Sequence, residues 1–102
     1  MYAQHTTVGI GRSQEHIRKV LRKYGAEDFS VGQERGFAIV RFLVGRLAIG
    51  LRASLPPRND YRSERQWEQE ERCVWRRLLL VVKAKLEIVE SGIASFEKEF
   101  LP

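Results

Sequence analysis

Soft metal ligands are scarce in this 102-residue chain, which has one cysteine and two histidines. A single cysteine cannot close a disulfide within the chain, and three such side chains fall short of a dedicated structural zinc site. Cysteine usage of this kind suits a reduced, intracellular protein. With three prolines, only residues 54–62 have linker character. No apolar run approaches the ~20 residues needed to cross a bilayer. The opening Met1-Tyr2-Ala3-Gln4-His5 resembles neither a signal peptide nor a basic transit segment. The expectation is a protein without membrane association, in the cytoplasm.

Catalytic groupings are also missing. Gly9-Ile10-Gly11 lacks both the further glycines and the Lys-Ser/Thr end of a phosphate-binding loop. His5 and His16 have no carboxylate or cysteine at ligand spacing. Cys73 sits in an apolar helical segment with no histidine marked as its base, as an inert buried thiol would. Glu68, Glu70, Glu71, Glu87 and Glu90 are interleaved with Arg and Lys at helical spacing, a pattern that surface ion pairing explains more simply than metal binding. No enzyme activity, metal or cofactor is expected.

Positive charge is plentiful and unevenly spread. Residues 1–63 carry eleven Arg or Lys against five acids, whereas residues 64–102 carry seven against eight. The net charge of +5 therefore comes from the first part of the chain. Thirteen of the eighteen cations are Arg, whose planar fork suits phosphates, carboxylates and aromatic faces. An anionic partner fits this balance.

Periodicity indicates an α+β fold. Thr6 to Ile10 has β-favouring residue types and reads as a short first strand. Ser13 follows as a helix N-cap, and Ile17, Val20, Leu21 and Tyr24 fall on one helical stripe. The spacing predicts a short amphipathic helix ending at Gly25, with Arg18, Lys19, Arg22 and Lys23 on its other faces. Phe29 to Val31, Gly36 to Val44 and Leu47 to Ala53 read as strands of a three- to four-stranded antiparallel meander, with Gly32 to Arg35 as the first turn. Alternation along these strands gathers Phe37, Arg41, Arg46 and Arg52 on one sheet face. Rings and guanidinium groups on one surface are what a single-stranded nucleic acid needs, because bases stack on rings while phosphates pair with cations.

After the connector, Ser63-Glu64-Arg65-Gln66 has capping-box form and opens a long C-terminal helix reaching about Glu90. Trp67, Trp75, Leu78, Leu79, Val82 and Leu86 supply its packing or self-association positions, joined by Phe96 and Phe100 in the tail beyond Gly92. Between Leu78 and Val82 the helix is apolar all round, so burial on more than one side is expected, against the sheet and the first helix or against a second copy in a homodimer. The whole is read as one domain, divided into residues 1–53, 54–62 and 63–102.

The stretch Trp75-Arg76-Arg77-Leu78-Leu79-Leu80-Val81-Val82-Lys83-Ala84-Lys85-Leu86-Glu87-Ile88-Val89-Glu90-Ser91-Gly92-Ile93, with Phe96-Glu97 and Glu99-Phe100-Leu101 after it, resembles a family of small uncharacterised phage and prophage proteins. Leu21 to Ala26 and Phe42 to Arg46 fit the same resemblance. It implies an accessory protein of a mobile element, working in a bacterial host cell, with no catalytic role attached to its motif. Residues and resemblance together favour a non-catalytic nucleic-acid-binding protein. The alternative is a protein-binding inhibitor that covers the working surface of a host defence or transcription complex.

Overall fold

A computed structural model describes the backbone of residues 2–92 and the side chains from residue 10 to residue 92. Helix α1 spans Tyr2–Lys23, strands β1, β2 and β3 span Glu27–Glu34, Phe37–Val44 and Leu47–Ser54, and helix α2 spans Glu64–Glu90, after a short 3-10 turn at Arg58–Asp60. The sheet is an antiparallel meander in the order β1-β2-β3. The fold class read from the sequence, α+β with a long C-terminal helix, is the one observed.

Helix α1 is the first departure from the sequence reading. Thr6 to Ile10 is helical, Ser13 lies inside the helix instead of capping it, and the helix runs for 22 residues. The extension follows the burial stripe: Ile10, two turns before the fully buried Ile17, packs partly against the same core. Packing of an apolar stripe outweighs the local cost of Gly9 and Gly11, about 1 kcal/mol each. The helix ends as expected at Gly25. Its φ of 77° lies in the left-handed region, and the Ala26 amide reaches back to the Leu21 carbonyl at 2.9 Å, which closes a Schellman cap.

Both hairpin turns have two residues. Arg35 and Gly36 both take positive φ, 48° and 83°, as a type I′ turn requires. Strand β1 therefore continues through Gly32 and Gln33 to Glu34, and the turn falls later than the Gly32 to Arg35 turn expected from sequence. At the other hairpin Gly45 alone is left-handed, with φ 59°, so that Val44 pairs with Leu47. A bulge between Glu27 and Ser30 carries Asp28 at φ 48°.

Alternation then sorts the sheet into two faces. Ala38, Val40, Phe42 and Ile49 point into the core. Helix α1 lies against β1, α2 against β3, and the two helices pack on one another. Ile17, Leu21, Val40, Trp75, Val82 and Leu86 are fully buried where they meet. Trp75, Leu78, Leu79, Val82 and Leu86 are thus consumed by packing inside the chain, and are closed to self-association. Trp67 is half-buried and pins the connector, its Nε1 donating to the Pro56 carbonyl at 2.7 Å. Phe96 and Phe100 lie outside the described residues. The middle of α2 is buried on less than its full circumference, because Leu80 remains 58% exposed and Val81 43%.

Candidate nucleic-acid interface

The sheet face turned away from the helices carries Phe37, Ile39, Arg41 and Leu43 from β2. In register beside them stand Ala48, Gly50 and Arg52 from β3, and Ser30, Gly32 and Glu34 from β1. Phe37, Ile39 and Leu43 are half-buried, whereas Arg41 and Arg52 are exposed. The Arg52 guanidinium lies over the Phe37 ring, 4.7 Å from its centroid. That distance suits a cation–π contact. Arg41 leans the other way and faces Glu34 end-on, its two terminal nitrogens 3.4 and 3.5 Å from the carboxylate oxygens. The pair spans Gly32, whose missing side chain leaves the path across β1 open.

Three of the four sheet residues singled out from the sequence, Phe37, Arg41 and Arg52, therefore share a face. Arg46 does not join them. It occupies the β2–β3 turn beside Gly45, at the opposite end of the hairpin from Phe37, because the two-residue turn takes it out of the strand. Ile39 belongs to the platform between Arg41 and Arg52 although it was not picked out. Its signal was present in the same alternation that selected Phe37 and Arg41.

The second cationic group lies on α1, which packs on the opposite face of the sheet. Its outward side carries Arg12, Lys19, Arg22 and Lys23, all exposed, with Glu15 the sole acid of the helix. Arg18 is partly withdrawn, donating to the Val31 carbonyl at 3.4 Å and lying 3.6 Å from Glu15. Arg22 shares that carboxylate at 3.6 Å and stands over Phe29, 5.7 Å from the ring centroid. Both arginines thus lean toward edge strand β1. Among the described residues Lys19 and Lys23 have no ion-pair partner. Arg12, missed by the sequence reading, borders a shallow depression together with Glu15, His16 and Lys19.

The two groups differ electrostatically. Helix α1 sets five cations against one acid, while on the sheet Glu34 offsets half the charge of Arg41 and Arg52. An exposed pair of this kind is worth ~0–1 kcal/mol, so Arg41 exchanges the Glu34 carboxylate for a phosphate at little cost. Among the described residues no cluster of His, Cys, Asp or Glu could hold a metal ion, and no helix is long and apolar enough to cross a membrane. No family model, curated protein or solved structure matches the chain at a significant level.

Proposed function

We propose that the protein binds single-stranded nucleic acid without catalysis, as an accessory protein of a mobile element. The observation that carries this reading is the outward side of α1, where Arg12, Lys19, Arg22 and Lys23 are exposed with Glu15 as the helix's only acid. These side chains would take phosphates. Arg18 and Arg22 lean toward β1, so a route would pass between the acidic ends of that edge, Glu27 and Asp28 at one and Glu34 at the other, to the far face. There the Phe37 ring and the Arg52 guanidinium give bases a stacking surface.

Fluorescence anisotropy of a labelled oligonucleotide tests the reading. Affinity is expected to fall steeply as salt rises from ~50 mM, since each neutralised phosphate releases a counterion. Replacing Lys19 and Lys23 together with Ala should flatten the log–log salt slope by about 1.4, about 0.7 for each lost single-strand contact. No binding at ~50 mM salt overturns the proposal.

One observation favours a second reading, occlusion of a host protein. Strand β3 is a sheet edge, and a groove of ≈ 220 Å³ between it and α2 is lined by the apolar Leu51, Ala53, Val74, Leu78 and Val81 together with Arg52, Ser54 and Arg77. An added strand could pair there and fill the groove with its side chains. Capture of a host protein that survives nuclease treatment supports this reading, and loss of the capture supports the first.

A further inference from the structure

The outward side of α2 carries an ordered pattern that the nucleic-acid reading does not use. Cys73, Arg77, Leu80, Ala84, Glu87 and Ser91 are separated alternately by four and three positions, the spacing that keeps one stripe facing a partner helix. At 100° per residue this stripe lies opposite the buried line of Trp75, Val82 and Leu86. Arg77, Leu80, Ala84, Glu87 and Ser91 are exposed, and Cys73 is half-buried. Leu80, at its centre, is the more exposed of the chain's two exposed large hydrophobics among the described residues.

The stripe reads as its own complement when reversed. Leu80 and Ala84 are equidistant from Val82, as are Arg77 and Glu87, and Cys73 and Ser91. An antiparallel second copy centred there sets Leu80 against Ala84 twice, large against small. It also sets Arg77 against Glu87 twice, and brings Glu90 to the level of Arg72 and Arg76. Among the described residues neither Arg77 nor Glu87 has an ion-pair partner within the chain. A parallel in-register pair would instead set Arg77 on Arg77 and Glu87 on Glu87, which like-charge repulsion disfavours. Lys83 would meet its own copy only at the wet rim, where salt screens the repulsion.

We infer that this face of α2 is a self-association surface, and that its occupant is a second copy of this chain in a two-fold antiparallel arrangement. Such an isologous contact closes on itself and stops at the dimer. Sedimentation equilibrium tests it. The parent should shift with concentration from 11.9 kDa toward twice that mass. Leu80→Glu should keep its helical circular dichroism, being at an exposed position, while weakening the dimer about tenfold or more. Arg77→Glu and Glu87→Arg should each weaken it by a similar factor, and the double variant should recover most of the loss. Ser91→Cys, mildly oxidised with glutathione disulfide, should cross-link to Cys73 of the second copy. Adding Cys73→Ser should abolish the link, since the two introduced thiols would sit ~27 Å apart along the axis. A monomer at every concentration overturns the inference. So does a dimer indifferent to Leu80→Glu, or a charge reversal that is not rescued in the double variant.

Discussion

At the scale of single residues, the face of α2 turned inward holds polar groups at a cost. Glu68 and Glu71 are 6% and 8% exposed, and Trp75, fully buried, has an indole N–H with no acceptor among the described residues. An unmet donor costs ~1–3 kcal/mol, which the buried area of the ring offsets. Burial raises the Glu71 pKa above its ordinary value of 4.5, and the neighbouring Glu68 charge raises it further. A carboxyl whose pKa is raised by folding stabilises the protein when protonated, so its contribution is complete below about pH 4.5 and is lost as pH climbs through the raised value. Glu71→Gln should therefore melt at a higher temperature than the parent at pH 7. That advantage should vanish near pH 4, and a melting-temperature gap independent of pH would refute the assignment.

At the scale of elements, local chemistry was most readable where one residue controls a boundary. Ser63 begins α2 because its Oγ accepts from the Gln66 amide at 3.2 Å. Ser63→Ala should lower unfolding free energy by about 1 kcal/mol in urea titrations. Gly25 ends α1 for an equally local reason, its left-handed φ. Alternation in β2 and β3 was legible because one face is buried and the other is not, and a slip of one residue would invert both. The start of α1 was not legible. Thr6, Thr7 and Val8 prefer strands on their own, and only the pairing of Ile10 with the core through Ile17 reveals the helix. Arg35-Gly36 was equally concealed, since an arginine seldom takes the positive φ that it has there.

At the scale of the molecule, the sequence indicated two cationic groups but not that the sheet stands between them. Which face the helices cover depends on tertiary packing, and no spacing along the chain encodes it directly. The division gives the two groups separable duties. Phe37→Ala should cost ~1–3 kcal/mol of oligonucleotide affinity through lost stacking while leaving the salt slope unchanged, the reverse of the pattern expected for Lys19 and Lys23. Equal effects of both substitutions on the slope would place the phosphates on the sheet.

The order β1-β2-β3 also bears on how the chain leaves the ribosome. Each hairpin closes over two residues and forms within ~1–10 μs, so the meander can assemble as soon as it emerges. Helix α2 follows the sheet, and until it arrives Val40, Phe42 and Ile49 have only α1 to shelter them. Translation thus holds the nascent protein half-roofed, with its greasiest surface open to chaperones or to a neighbouring nascent chain, for as long as the stretch from Glu64 to Glu90 takes to be made.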